Sequence, residues 1–162
     1  MSIIIFSRPV HSGKTTELMN YCQQQPSLNI SGVLMPDVDG TRKIFDLANK
    51  SYFDIECTDA ENANERLVMV GKYCFYQSAF DKANHIISKT IESTDLLIID
   101  EVGKLELVGK GLYPATQHAV NDSSFQSDAK HLLLVVRDSL YDAVISNFHI
   151  GEHRLIHEVN SI

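Results

Sequence analysis

Tryptophan is missing from this 162-residue chain, and positive charge is scarce: 14 Lys and Arg stand against 21 Asp and Glu, for a net charge of −7. General affinity for nucleic acid needs clustered Lys and Arg to neutralise phosphates, so the charge balance argues against that class of function, whereas one small basic pocket is compatible with that balance. Cysteine is also sparse. Cys22, Cys57 and Cys74 are odd in number and widely spaced, with no Cys-x-x-Cys pair and no zinc-finger set with His. That pattern suits reduced thiols in the cytoplasm rather than a disulfide framework or a zinc module. No apolar run approaches the ~20 residues of a membrane helix. The amino-terminal "MSIIIFSRP" is too short for a signal peptide and has no basic leader. The expectation is a cytoplasmic protein with neither a membrane nor a nucleic acid as partner.

What is present is ordinary in bulk, 44% hydrophobic and 22% charged. A chain of this size makes about one domain, here residues 1–162, that buries roughly two-thirds of its unfolded surface. No internal repeat, low-complexity tract or linker divides it. "SIIIFS" is a continuous apolar run of the kind a buried parallel strand requires, and "KTTELMNYCQQQ" after it has helical spacing up to Pro26. From Ile30 to Glu56, "ISGVLMP", "RKIFDLA" and "SYFDIE" are short β-prone pieces separated by turn signals such as Asp39-Gly40, which predicts an antiparallel hairpin or meander. "ERLVMV" and "YCFY" add a strand or an extended edge. "SAFDKANHIISKTIES" reads as a helix, "LLIIDE" as a second buried strand, "YPATQHAVND" as a helix and "HLLLVVR" as a third buried strand. "SLYDAVISNF" and "RLIHEV" then give a last helix and a closing strand. Alternation of this kind predicts an α/β fold, a three-layer αβα sandwich on a mainly parallel sheet with a β-hairpin insertion.

The chemistry is concentrated in "RPVHSGKTTEL". It places Gly13-Lys14-Thr15-Thr16 between a buried strand and a helix, the context of a phosphate-binding loop. Unpaired N–H groups of Val10 to Thr16 at the helix start would cradle phosphates. Lys14 would reach the β and γ phosphates, and Thr15 would offer its hydroxyl to Mg²⁺. Thr16 would bond a phosphate or cap the helix. His11 would touch the nucleotide by its ring or N–H, or serve as filler. Arg8 stands where such loops usually have their first glycine. It would pair with a carboxylate or lie over the nucleotide, and a non-glycine is acceptable there if its φ is negative. A carboxylate is also required at the end of a neighbouring strand, to hold the water shell of Mg²⁺. "LLIIDE" supplies Asp100 at the carboxyl edge of the sheet, where open α/β folds bind ligands, and Glu101 follows to orient or deprotonate an attacking water.

The run "DLLIIDEVGKLEL" resembles the second motif of the small P-loop nucleoside triphosphatases that include the animal cancer-related nucleoside-triphosphatase. There the strand ends Asp-Glu and continues with a small aliphatic residue, Gly, a variable residue, an apolar residue, Glu and Leu, here Asp100 through Leu107. "ISGVLMPDVDGTRKIFDLAN", "VGKYCFYQSAFDKA" and "VVRDSLYDAV" are similar to further stretches of that family in the same order. The resemblance therefore covers nearly the whole chain. It implies a RecA-like P-loop core and Mg²⁺-dependent hydrolysis of nucleoside triphosphates with loose base selectivity. It also implies a working set of Lys14, Thr15, Asp100 and Glu101. The chain departs from the family in its loop, where His11 and Ser12 replace the central glycine region, and in stopping at "HEVNSI" where the family continues.

The loop alone points to a second class. Pro9, Ser12, Gly13, Lys14, Thr16, Glu17 and Leu18 also resemble the start of type II thymidine kinases, which would make the protein a kinase of nucleosides or other small molecules. Those kinases have Gln and aromatic residues after Asp-Glu and usually a four-cysteine zinc site, which three scattered cysteines cannot form. A third possibility is a nucleotide-binding switch with little turnover. Several residues keep open readings: Glu106 and Lys104 in the metal shell or near a water at the γ phosphate, or in a surface ion pair. Arg137 would stabilise phosphoryl charge or pair with Asp138. Tyr73, Phe75 and Tyr76 would stack on a base or pack in the core. His149, His153 and His157 have metal-like spacing, but Gly151 breaks the helix a metal site would need.

Overall fold

The structure, a computed structural model, describes residues 2–61, 63–126 and 130–162. The three apolar runs form adjacent parallel strands: β1 (Ile3–Arg8), β8 (Leu96–Val102) and β9 (His131–Arg137), with β9 between the other two. β10 (Arg154–Ile156) joins the outer side of β1 and β2 (Ile30–Leu34) the outer side of β8, both parallel. Antiparallel strands extend the β2 edge. β4 (Thr41–Asp46) pairs with β2, and β3 (Asp37–Val38) and β5 (Ser51–Asp54) pair with β4. The expected meander is therefore real, but its first piece belongs to the parallel sheet. "ISGVLMP" carries no alternation because both its faces are covered. A separate two-stranded hairpin, β6 (Leu67–Val70) and β7 (Tyr73–Tyr76), stands off the main sheet.

Side chains leave each strand on alternate faces, so one sheet makes two cores. On one face Ile3, Ile5, Leu97, Ile99, Leu132 and Leu134 pack with α2 (Gln77–Thr90), α3 (Tyr113–Asn121) and α4 (Tyr141–Asn147). On the other, Ile4, Phe6, Leu96, Ile98, Leu133 and Val135 pack with Leu18 of α1 (Lys14–Gln23) and with Val159. The layers are thus αβα, with three helices on one side and a single helix plus the carboxyl-terminal turn on the other. Among the described residues, no helix is long and apolar enough to cross a membrane.

Gly32 shows how tightly β2 and β8 approach. Its φ is +102°, and a Cβ there would lie 2.0 Å from the carbonyl oxygen of Ile98. Both the strained backbone and the backbone clash would oppose a side chain. Gly32→Ala is expected to lower unfolding free energy by about 3 kcal/mol or more, measured by urea denaturation.

The three cysteines are free. Cys57 and Cys74 are both buried, and the Cys57 N–H donates to the Cys74 carbonyl at 2.8 Å. Their side chains are hydrogen-bonded to each other, and burial pushes the Cys74 thiol up. Cys57 therefore faces Cys74 of β7.

Candidate active site

The phosphate loop begins one residue later than the sequence suggests. Arg8 is the last residue of β1, in register with Arg137 of β9, so it is extended and needs no glycine. Its guanidinium donates to Glu17 Oε1 at 2.8 Å and to the Ser12 carbonyl at 2.9 Å, and lies 5.1 Å from the centre of the Phe6 ring. Of the two readings of Arg8, the carboxylate pair is the one found. Positive φ is instead taken by His11 (57°) and Gly13 (83°). Gly13 is the residue before α1, and no side chain caps the helix, so Thr16 does not serve that role.

Lys14 is buried to 8% exposure and curls back into the loop, donating to the carbonyls of Pro9 at 2.8 Å and Arg8 at 3.1 Å. Burial pushes its pKa down, and the Glu101 and Asp100 carboxylates oppose that shift. The Ser12 hydroxyl is buried without a hydrogen-bond partner. Val10 through Thr16 line an open cleft of about 290 Å³ together with Pro36, Asp37, Arg42 and Glu101.

The two motifs meet at one bond. Thr15 Oγ1 donates to Asp100 Oδ2 at 2.8 Å, across 85 residues of chain. Asp100 is 1% exposed, and it also accepts the N–H groups of Met35 at 3.0 Å and Glu101 at 2.9 Å. Burial, then the neighbouring Glu101 charge, push the Asp100 pKa up to about 6 against those three hydrogen bonds. Asp100 and the Thr15 hydroxyl beside it make a pair of hard oxygen donors suited to Mg²⁺. Among the described residues no three His, Cys, Asp or Glu gather into a metal cage. Mg²⁺ is commonly held by one or two carboxylates plus substrate phosphates, so the Thr15–Asp100 pair is of a kind that fits it.

Glu101 owes its position to a β-bulge. Ile99 pairs with Leu134 but Val102 pairs with Val136, so Asp100 and Glu101 together oppose Val135. Glu101 is the extra residue, with φ at 61°. In a regular strand Val102 would share a face with Ile98, whereas here it joins the core of Leu97 and Ile99. The bulge thereby re-aims a carboxylate at the sheet edge at a backbone cost of about 1–3 kcal/mol, a kind of strain that clusters at functional sites. Two guanidinium groups hold it: Arg42 Nη1 donates to Oε1 at 3.2 Å, and Arg137 Nη2 donates to Oε2 at 3.3 Å. Arg137 therefore pairs with Glu101 rather than with Asp138. Arg42 was not visible in the sequence, because nothing local distinguishes a strand arginine 59 residues away.

Glu106 takes neither of its expected roles. It is 2% exposed and accepts the N–H groups of Gly103 and Leu112, each at 2.8 Å. Its carboxyl staples the loop after β8, and burial pushes its pKa up against those bonds. A Cβ at Gly111 would lie 2.3 Å from Glu106 Oε1, so that glycine leaves room for the staple. Removing the carboxyl strands two buried donors at about 1–3 kcal/mol each. Glu106→Ala is expected to lower stability by about 2–5 kcal/mol in urea unfolding, with Glu106→Gln, which keeps one acceptor, losing less. Among the histidines, His153 Nε2 contacts the Tyr141 hydroxyl at 2.6 Å and His157 Nδ1 the Ser7 carbonyl at 2.6 Å. Those contacts join the closing segment to α4 and β1 rather than to a metal.

A phosphate-type loop between strand and helix, facing Asp-Glu at the end of a parallel strand, defines a P-loop NTPase fold. The sequence profile of the NTPase family matches residues 3–161, so the chain belongs to that family of nucleoside-triphosphate-hydrolysing enzymes. It is 26% identical over 125 residues to the nucleoside-triphosphatase THEP1 of Methanopyrus kandleri, a match spanning 74% of this chain and 67% of that protein. The fold is shared with the crystal structure of THEP1 from the hyperthermophile Aquifex aeolicus, with a TM-score of 0.73 and 17% identity. That alignment covers 98% of this chain and 91% of the other.

Proposed function

We propose that the protein is a cytoplasmic, Mg²⁺-dependent hydrolase that converts nucleoside triphosphates to diphosphate and phosphate with loose base selectivity. The observation that carries this reading is the bond between Thr15 and Asp100 at 2.8 Å, which brings the phosphate loop to the strand end that bears Glu101. Thr15 and Asp100 would hold Mg²⁺, which when bound neutralises charge on the β and γ phosphates.

The remaining work falls to the chain's own groups. N–H groups of Val10 to Thr16 bind phosphate oxygens, and the unpartnered Ser12 hydroxyl is free to donate to one. Lys14 turns from the Pro9 and Arg8 carbonyls to the phosphates. Glu101 orients the attacking water and takes its proton, while Arg42 and Arg137 fix the carboxylate and offset charge on the transferred group. Loose base selectivity accords with recognition through loop backbone and phosphates, in a chain with no Asn-Lys-x-Asp guanine signature.

The test of metal dependence is phosphate release across a Mg²⁺ titration with EDTA as the zero point. Release is expected to vanish in EDTA. Asp100→Asn, which removes the negative charge, and Thr15→Ala, which removes the hydroxyl, are expected to raise the Mg²⁺ concentration for half-maximal rate by about 10-fold or more. Equal rates in EDTA and Mg²⁺ would sink the proposal.

A further inference from the structure

Glu101, Arg42 and Met35 line the phosphate-loop cleft and also a second cavity. Its volume is about 100 Å³, where a lone water needs roughly 10–15 Å³ on the same measure. The walls are mainly apolar: Tyr73 and Phe75 from β7, Phe80 from α2, and Ile55, Leu105 and Leu140 around them. Phe75 lies edge-on to Phe80 with ring centres 6.0 Å apart, and nearly parallel to Tyr73 at 6.1 Å. Arg137 reaches this cavity but does not line the cleft. The aromatic wall is built on the hairpin that stands off the main sheet. Backbone bonds from Tyr76 to Ile55 and from Cys57 to Cys74, both 2.8 Å, fasten it.

Activating a water needs a carboxylate and a polar niche, and gains nothing from three rings lining the space beside it. Apolar pockets of this make, with a few convergent polar groups at one end, are those that seat small organic ligands. The polar end here is Glu101 between two guanidiniums, the same carboxylate that lines the phosphate-loop cleft. We propose that this cavity is an acceptor site, and that the enzyme also transfers the γ-phosphoryl group to the hydroxyl of a small ring-bearing alcohol seated there. This rests on the reading of the loop as a nucleoside-triphosphate site. The ring lies among Tyr73, Phe75 and Phe80, and the hydroxyl is directed at Glu101. The hydroxyl oxygen forms a bond to the γ-phosphorus as the bond from that phosphorus to the β,γ-bridging oxygen breaks. The electron pair leaves on the nucleoside diphosphate, and the hydroxyl proton passes to the Glu101 carboxylate and on to solvent. Arg42 and Arg137 offset charge on the group in transit. Water takes the same place when no alcohol is bound, so hydrolysis and transfer compete.

The experiment incubates the whole chain with Mg²⁺ and γ-labelled ATP, with benzyl alcohol or one of the four ribonucleosides at millimolar concentration. Labelled ester and inorganic phosphate are separated by chromatography. Wild type is expected to make labelled ester from at least one of these alcohols, with less free phosphate. Phe75→Ala, which removes the stacking surface, and Val70→Trp, which fills the cavity from the hairpin end, are each expected to lower ester yield by about tenfold or more. Phosphate release without an alcohol, measured on the same samples, shows that both variants remain folded and active. Phosphate release with no ester from any of these alcohols would overturn the acceptor site and leave the hydrolase standing. Ester yields unchanged in both variants would overturn it as well. Loss of phosphate and ester alike in wild type would remove the nucleoside-triphosphate reading and this inference with it.

Discussion

Replacing Glu101 by Gln is expected to lower the rate of phosphate release by about 10²–10⁴-fold, the usual worth of a positioned general base, while nucleotide binding is retained. Glutamine keeps the size and one acceptor oxygen of the side chain but cannot take a proton from water. It also removes the charge that holds Arg42 at 3.2 Å and Arg137 at 3.3 Å. The phosphate loop does not depend on this residue, since Lys14 is held by the Arg8 and Pro9 carbonyls and Thr15 by Asp100. The measurement is single-turnover phosphate release beside equilibrium binding of a labelled nucleotide. A Glu101→Gln variant that hydrolyses at the wild-type rate would exclude the residue as the base.

Loss of Lys14 should act on both binding and turnover. Its ammonium is buried, and burial already disfavours its charged form. Phosphates arriving in the cleft would reverse that penalty, so the cation is worth more with substrate bound than without. Lys14→Ala is expected to lower kcat/KM by about 10²–10³-fold, the range for removing one preorganised charge-stabilising donor. Lys14→Arg is expected to rescue little, because a planar fork cannot replace a compact ammonium that fits between two loop carbonyls. A rate within a few-fold of wild type in Lys14→Arg would mean that positive charge alone suffices.

Much of this arrangement is written locally in the chain. The runs "SIIIFS", "LLIIDE" and "HLLLVVR" are continuous because both sheet faces are covered, and the site lies just after the first and at the end of the second. What escaped the sequence depends on tertiary placement. β2 looked like part of a meander because its fully covered neighbour β8 lies 65 residues away, as the Met35–Asp100 bond records. The bulge at Glu101 leaves no residue signature, since a glutamate at φ 61° is selected by its surroundings and not by its own preference. Glu106 read as a metal-shell or ion-pair residue because its true acceptor role is toward backbone N–H groups, which every residue carries. Gly111 beside it, and the close approach at Gly32, were the signals available.

Arg8 illustrates the opposite error. Its place in the motif suggested an altered corner of the phosphate loop, and the structure puts it in β1 with its charge spent on Glu17. The loop therefore turns with two residues of positive φ, His11 and Gly13, and the missing first glycine costs it nothing.

The most direct measurement is phosphate release from ATP, GTP, CTP and UTP with Mg²⁺, on wild type and Lys14→Ala side by side. Release from several of these nucleotides by wild type, abolished or nearly so in the variant, is the predicted result. Nucleotide binding with no release above the variant from any of the four would contradict it, and would make the protein a nucleotide-binding switch rather than a hydrolase.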